Sequence, residues 1–213
     1  MLGLLFAGHE TSSHAISSTL FFLSKYPEAA EKLSKELCDL YSKSDSELKT
    51  FLNKERLQEY DYLYYVTKEG LRIDPPASDT LPYLVVKDTT ICGVPLSKDT
   101  IINVNILPQH YNPNEWHEPK KFIPERFDPE SEFYTKPGGE NQPRSPLSWI
   151  PFSFGLRNCP GQTLALLEIK LIVAYLFTKV NFNFDKEQLD SPYAYFSMGS
   201  MLKMPFTHTL KEA

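Results

Sequence analysis

Residues 152–161 read Phe-Ser-Phe-Gly-Leu-Arg-Asn-Cys-Pro-Gly and lead directly into the apolar segment 162–180. The cysteine stands between two glycines and just before a predicted helix, whose first turn presents unpaired backbone N–H groups and the positive end of the helix dipole. Both features stabilise a thiolate, the form in which cysteine binds metals. Thiolate ligation is one of the ways in which proteins hold haem iron, where it favours cleavage of the O–O bond. We therefore identify Cys159 as a candidate iron ligand.

The residues around Cys159 suit such a site. Gly155 allows a tight turn beneath a flat ring without a Cβ clash, and Gly161 allows the following helix to approach the ring closely. Arg157 carries a planar fork of donors that matches a haem propionate. Phe152 is placed to shield the sulfur from water, which would tune its electron donation. The competing interpretation is a structural cysteine buried ahead of a helix.

The pattern Phe-x-x-Gly-x-Arg-x-Cys-x-Gly resembles the haem-binding signature of the cytochrome P450 family. The resemblance implies a mainly α-helical fold with small β-sheets and haem b (iron protoporphyrin IX) as cofactor. It also implies a haem-thiolate monooxygenase, which inserts one atom of O₂ into a small organic substrate with electrons from a reductase. Cys38 and Cys92 lie in no such pattern and are predicted to be small buried hydrophobic residues.

A second motif, Ala7-Gly8-His9-Glu10-Thr11, lies within the first predicted helix. Its glycine permits a local kink that opens space for a ligand against the backbone. An acid followed by a hydroxyl can relay protons, which oxygen activation requires. The motif resembles the oxygen-activating helix of the family, which implies roles for Ala7, Gly8, Glu10 and Thr11. His9 occupies a variable position and is predicted to be a helix-face residue.

Glu69 and Arg72 are three residues apart and share one face of the helix predicted over 62–73. That helix is mostly apolar, and a buried ion pair needs further hydrogen bonds to offset its desolvation. Arg126, in the segment Pro-Glu-Arg-Phe, could supply them. The arrangement resembles the structural triad of the family, which implies that the three residues lock the core around the haem and do no acid–base chemistry.

His110 has two interpretations that the sequence leaves equally open. The resemblance implies a propionate contact, because the family often has a histidine or arginine near this point; the alternative is a solvent-facing loop histidine. His14, His117 and His208 are scattered and show no metal-ligand spacing. A cysteine hydrolase that pairs Cys159 with His110 is a further hypothesis, although no nucleophile elbow surrounds the cysteine.

Composition limits the classes of function. The 213 residues carry a formal net charge of −5, which gives no indication of nucleic-acid binding. A hydrophobic content of 41 % is enough for a core, and an aromatic content of 13 % argues against disorder. Three scattered cysteines favour a reducing compartment over a disulfide framework. The resemblance implies that relatives are often found on the endoplasmic reticulum membrane, but the apolar stretch 1–7 is too short to span a bilayer, and the sequence leaves localisation open.

Hydrophobic periodicity and turn signals divide the chain into predicted elements. They are helices over 1–25, from 27 onward, 54–59, 62–73 and 162–180, strands over 81–86, 89–92 and 100–105, polar loops over 42–50 and 128–150, and strands and turns over 184–213. The last helix is apolar on nearly every side at its centre, which predicts that it is buried all round.

The resemblance covers essentially the whole chain, yet members of the family are much longer. We therefore expect residues 1–213 to form one partial domain, the carboxyl-terminal half of a haem-thiolate monooxygenase that begins inside a helix. A catalytically inactive family member with impaired haem binding is the alternative. Two positions depart from the family pattern: Tyr83 stands where an arginine often contacts a propionate, and Asp99 stands in a turn where glycine is usual.

Overall fold

A computed structural model describes residues 2–42, 55–138, 141–190 and 206–211. The α-helices in these ranges are α1 (Leu2–Lys25), α2 (Pro27–Ser42), α3 (Asp61–Ile73), α4 (Leu107–His110), α5 (Gln162–Lys179) and α6 (Lys186–Asp190). Short 3-10 helices occur at Arg56–Gln58, Pro124–Phe127, Glu132–Tyr134 and Gly155–Arg157. The fold is therefore mainly helical, as the sequence predicts.

The described strands form three small antiparallel pairs. They are β1 (Tyr83–Leu84), β2 (Thr89–Ile91), β3 (Val94–Leu96), β4 (Ile101–Ile102), β5 (Val180–Phe184) and β6 (Phe206–Leu210). Strand β1 pairs with β4, β2 with β3, and β5 with β6. In the longest pair Val180 lies opposite Leu210 and Phe184 opposite Phe206. The β5–β6 pair packs against α1 and α5, so it closes one side of the helical core.

The start of α3 is capped by a residue of another helix. Its N-cap residue, Tyr60, makes no side-chain hydrogen bond to the helix. Instead the backbone N–H groups of Tyr62 and Leu63 donate to the carboxylate of Glu36, at 2.8 and 2.9 Å. Burial raises the pKa of this carboxyl, although the two N–H groups oppose the shift. The cap satisfies orphan donors of α3 and fixes its position against α2.

The core lies between α1, α2, α3 and α5 and joins aliphatic to aromatic side chains. Fully buried members are Leu33, Leu63, Val66, Val173 and Ala174. Phe22 stacks on Phe122 with ring centroids 5.2 Å apart, and Phe21 meets Phe184 edge to face. Each buried side chain of this size contributes about 1.5–3 kcal/mol, so the packing of these helices dominates the stability of the fold.

Helix α5 is not buried all round, and that prediction is wrong. One stripe, including Ile169 and Val173, is buried against α1 and α3. Leu164 is 59 % exposed and Tyr175 is 42 % exposed on other faces of the same helix. Helix α5 therefore carries apolar side chains on several faces, and the neighbouring elements among the described residues cover one of them.

The prediction that Cys38 and Cys92 are buried is also wrong, because both side chains are exposed. Cys38 directly follows the buried Leu37 on α2, so the helical period turns it away from the core. Cys92 lies in the turn between β2 and β3 with φ of 50°, a turn conformation at the surface. Position within each element decides exposure here, and the apolar character of cysteine does not.

Several boundaries differ from those predicted. The helix expected over 54–59 is a 3-10 turn at Arg56–Gln58, strand β3 was not predicted, and β5 begins inside the segment assigned to the preceding helix. The predicted turn at Asp99 is confirmed by its φ of 66°. Residues 43–54 and 191–205 lie outside the described ranges, and with them most of the predicted loop 42–50 and part of the predicted carboxyl-terminal strands.

Candidate active site

The cysteine loop is closed by two backbone hydrogen bonds. Cys159 N donates to Phe152 O at 2.8 Å, and Asn158 N donates to Gly155 O at 3.2 Å. Between them Ser153 and Gly155 adopt positive φ values of 64° and 81°. Glycine is needed at 155 because an L residue with this φ is strained. The result is a tight turn that presents the Cys159 side chain on the surface.

The sulfur of Cys159 lies beside the amino-terminal end of α5. Gly161 is the N-cap residue of this helix, and a Cβ placed on it would lie 3.8 Å from Cys159 Sγ. Negative charge near a helix amino terminus is stabilised by the helix dipole. Pro160 directly precedes the N-cap residue and lies outside the helix. The predicted juxtaposition of sulfur and helix start is therefore present.

The surface around Cys159 is apolar and open. Phe154 is 63 % exposed, and Leu156 is fully exposed on the same loop. A Cβ added at Gly155 would meet no atom within 4 Å, so the space above the turn is free. A flat apolar macrocycle whose iron takes a thiolate ligand needs these three features: a sulfur donor, apolar contact and room. The residues present thus fit a haem.

Arg157 lies at the edge of this loop. Its Nη1 donates to Pro82 O at 3.4 Å, and its guanidinium stacks over the ring of Tyr83, with Cζ 4.8 Å from the ring centroid. Tyr83 is the residue that departs from the family pattern, and it supports the arginine of the cysteine loop. The role of Arg157 at a propionate stays a prediction, as does the shielding role of the half-buried Phe152.

The motif at residues 7–11 lies within the uninterrupted helix α1. The hydroxyl of Thr11 donates to Ala7 O at 2.7 Å, across the turn that contains Gly8. Such bonding of a hydroxyl to the preceding turn loosens the main-chain ladder and often bends a helix. A Cβ at Gly8 would have no atom within 4 Å, which leaves space beside this turn. Glu10 is half-buried and His9 exposed, as predicted for a helix-face residue.

The predicted pairing of Glu69 with two arginines is confirmed. Arg72 donates from Nε and Nη2 to both carboxylate oxygens of Glu69, at 2.7 and 2.9 Å. Arg126 Nε donates to Glu69 Oε1 at 3.1 Å. All three side chains are completely buried. A carboxylate held by two cations in this way anchors α3 to the segment that contains Arg126.

The remaining donors of the two arginines bind backbone carbonyls. Arg72 donates to His110 O at 2.7 Å and to Pro119 O at 2.9 Å. Arg126 donates to Glu118 O at 2.9 Å and to His117 O. These bonds supply the additional partners that a buried ion pair requires. The cluster therefore fixes the long irregular segment that runs from α4 toward the cysteine loop.

His110 is completely buried, so its interpretation as a solvent-facing residue is wrong. Its Nδ1 bonds Arg72 O at 3.0 Å, and Ile150 N donates to its Nε2 at 3.0 Å. Burial, with the charge of Arg72, lowers the pKa of His110 to about 3. Both ring nitrogens are thereby engaged by the backbone, which leaves neither for a propionate nor for activating Cys159. The hydrolase hypothesis fails for the same reason.

Sequence reasoning missed two polar contacts near the site. His14 Nε2 lies 2.8 Å from Asp74 Oδ2, although no motif links two residues so far apart in sequence. The Lys68 ammonium lies 4.4 Å from the ring centroid of Phe127 and 4.7 Å from that of Trp149. Burial, with the charge of Arg144, lowers the pKa of Lys68 to about 8. The sequence did contain an indication of the Lys68 contact. This lysine directly precedes the Glu69-x-x-Arg72 motif, and the aromatic residues Phe127 and Trp149 follow later in the chain.

Three features of this structure together define the haem-thiolate class. They are an exposed cysteine at the start of a long helix, a helix with an acid–hydroxyl pair, and a buried Glu–Arg–Arg cluster. The chain belongs to the cytochrome P450 family: the model of that family, described as "Cytochrome P450", matches residues 1–209. The motif that resembles the haem-binding signature of this family is the one quoted at residues 152–161.

The chain is similar to several curated members of this family. It is 36 % identical to cytochrome P450 4F5 of Rattus norvegicus over 170 residues, which cover 80 % of this chain and 30 % of that protein. It is 33 % identical to a human protein named ultra-long-chain fatty acid omega-hydroxylase, over 85 % of this chain and 32 % of that protein. The chain thus spans about 30 % of the length of the curated relatives that it matches.

A solved structure shows the same fold. The cyanobacterial CYP120A1 with bound retinoic acid superposes with a TM-score of 0.72 at 31 % identity, over 86 % of this chain and 39 % of that chain. The expected fold class, part of the cytochrome P450 fold, is therefore confirmed. None of the helices in the described ranges has the length and apolar character that crossing a membrane requires.

Proposed function

We propose that this chain is the carboxyl-terminal part of a haem-thiolate monooxygenase, which inserts one atom of O₂ into an organic substrate with electrons from a reductase. The observation that carries the proposal is the exposed Cys159 sulfur beside the amino terminus of α5, on an open apolar surface. One relative is named an ultra-long-chain fatty acid omega-hydroxylase. A long-chain fatty acid is therefore the substrate class to test first.

Under this proposal Cys159 holds the iron of haem b, and Arg157 binds a propionate from the edge of the loop. Phe152 keeps water from the sulfur. Bound haem supplies the one-electron and oxygen chemistry that protein side chains lack. The protein contributes the orientation of the ring and control over the sulfur, which set the redox properties of the iron.

Under the same proposal, Glu10 and Thr11 of α1 transfer protons. The Thr11 hydroxyl is fixed at the turn beside Gly8, because it donates to Ala7 O. Glu10 is half-buried and can exchange protons with solvent. An acid with access to water, next to an oriented hydroxyl, is an arrangement that can move a proton toward a ligand beside Gly8. The Glu69–Arg72–Arg126 cluster takes no part in the chemistry and holds the surrounding backbone.

The alternative is a family member that binds haem poorly and is catalytically inactive. It is favoured by the large apolar side chains that the described residues leave exposed on both candidate faces of the pocket, Leu5 and Phe6 on α1 and Phe154 and Leu156 on the cysteine loop. A pocket with open walls admits water, which weakens every polar interaction within it.

A hemin titration of the purified full chain decides between the two. The monooxygenase proposal expects saturable binding and, after reduction under CO, the red-shifted Soret band of thiolate-ligated haem. The Cys159→Ser variant should lose that band, whereas the control Cys92→Ser, also at an exposed cysteine in a turn, should keep it. Absence of hemin binding by the wild type would instead establish the inactive alternative. Turnover of a fatty acid with a reductase is then measured on the loaded protein.

A further inference from the structure

His14 joins α1 to the end of α3 through a side-chain hydrogen bond to Asp74. Its Nε2 lies 2.8 Å from Asp74 Oδ2, and the side chains are 17 % and 1 % exposed. Asp74 is the C-cap residue of α3, and its backbone N–H donates to Gly70 O at 3.0 Å. The carboxylate is therefore buried and fixed at a helix end, which makes it a defined anchor for a cation.

The position of His14 on α1 connects this anchor to the candidate site. His14 follows Thr11 by three residues and Glu10 by four, so it lies one helical turn further along the same face. The Thr11 hydroxyl belongs to the turn that begins at Ala7. A restraint at His14 therefore acts on the turn that carries the acid and the hydroxyl.

The surroundings of His14 favour its charged form. Burial lowers the pKa of His14, but the hydrogen bond and charge of Asp74, together with the charge of Glu10, outweigh burial and raise the pKa above 6.5. On α5 the charged group that faces α1 nearby is Glu168, whose Oε2 accepts from Ser12 at 3.3 Å. Strand β5 meets α1 through the rings of Phe184 and Phe21, and α2 follows the far end of α1.

We propose that charged His14 is a positioning residue for Glu10 and Thr11: its ion pair with Asp74 ties their turn of α1 to the carboxyl-terminal end of α3. This His14–Asp74 contact, the tether, also fixes α1 relative to the buried Glu69–Arg72 pair, which lies on α3. The proton-handling role of Glu10 and Thr11 rests on the proposed function, whereas the tether itself is testable without haem.

The tether depends on pH in a defined direction. A histidine whose pKa is raised in the folded state stabilises the fold fully below its unfolded value, and this contribution is lost as pH rises through the folded value. The ion pair should therefore be intact in mildly acidic solution. As pH rises past the raised pKa of His14, α1 should become less restrained around residues 7–14.

The first test is an NMR titration of the histidine rings in the full chain. The pKa of His14 should lie above the ordinary histidine value of 6.5. In Asp74→Asn the ring keeps its burial and loses its main counter-charge, so its pKa should fall below the wild-type value. If the pKa of His14 in the wild type is not above 6.5, or if Asp74→Asn leaves the His14 titration unchanged, the proposal is overturned. The wild-type comparison holds even if the variant fails to fold.

The second test measures amide hydrogen exchange of residues 7–15 in the wild type and in His14→Lys. A lysine stays charged across the range, so comparison at equal pH removes the intrinsic pH dependence of exchange. The two proteins should exchange alike in mildly acidic solution, and the wild type should become several-fold faster above the pKa of His14. The matched variant His208→Lys should follow the wild type. A wild-type to His14→Lys ratio that does not change with pH would refute the tether, whatever the hemin titration shows.

Discussion

Ile150 N donates a hydrogen bond to Nε2 of His110 at 3.0 Å. Since an N–H can only donate, Nε2 must be the unprotonated nitrogen, and Nδ1 must carry the hydrogen that reaches Arg72 O at 3.0 Å. The buried ring is thus a neutral bridge of fixed tautomer. It joins the end of α3 to the segment that leads into the cysteine loop, so the Glu–Arg–Arg cluster and the candidate site are mechanically connected.

Replacing this ring should change the pH dependence of stability. His110 has a folded pKa lowered from 6.5 to about 3, so its contribution is complete above pH 6.5 and is lost as pH falls toward 3. Over that range the free energy of unfolding of the wild type should fall more steeply than that of His110→Gln, by up to about 1.4 kcal/mol per pH unit. Urea unfolding at several pH values measures the two slopes. Parallel curves would show that folding does not lower the pKa of His110.

Removing the charge of Glu69 should severely destabilise the chain. Glu69→Gln removes the buried carboxylate that Arg72 and Arg126 share, and breaking a buried pair in this way costs about 3–5 kcal/mol. Glu118→Gln is the matched control, because Glu118 forms its pair with Lys121 at the surface, where such pairs contribute little. Thermal and urea unfolding of both variants test the contrast. Equal stability of the two would contradict a structural role for the cluster.

Because of their different backbone conformations, two glycines of the cysteine loop should differ in how much stability is lost on replacement by alanine. Gly155→Ala places a Cβ on a residue with φ of 81°, which costs about 1–2 kcal/mol although no neighbouring atom obstructs it. Gly161 has φ of −89°, and its added Cβ would make an ordinary contact 3.8 Å from Cys159 Sγ. Gly161→Ala should therefore be tolerated better. Unfolding measurements on both variants would contradict this account if Gly161→Ala proved the more damaging change.

The glycine of the α1 motif should show opposite effects on stability and on function. Gly8 lies inside a helix with open space at its Cβ position, so Gly8→Ala should stabilise the chain by about 0.5–1 kcal/mol. Under the proposed function the new methyl group occupies space beside the Thr11 hydroxyl and should reduce turnover. Gly3→Ala, which also adds a methyl group in open space on α1, is the control for the helix effect alone. A Gly8→Ala protein that is more stable and equally active would show that this space serves no ligand.

Local chemistry determined much of the candidate site. The spacing of Glu69 and Arg72 on one helix face requires no knowledge of the fold, and their apolar surroundings predicted burial. The glycines of the cysteine loop predicted a turn for the same local reason, and Gly155 has a positive φ. His110 was different, because its partners Arg72 and Ile150 are distant in sequence. No pattern within a few residues of His110 could distinguish a buried bridge from a surface side chain.

The sequence by itself determined the family, the cysteine loop and the acid–hydroxyl motif, because each depends on residue types at short fixed spacings. Only the tertiary structure decided which side chains are buried and which distant groups pair. Cys38 lies outside the core, and α5 is buried along one stripe only. His14 of α1 contacts Asp74 at the end of α3. Burial and pairing over such distances follow from how the helices pack against one another, and a linear pattern does not specify that packing.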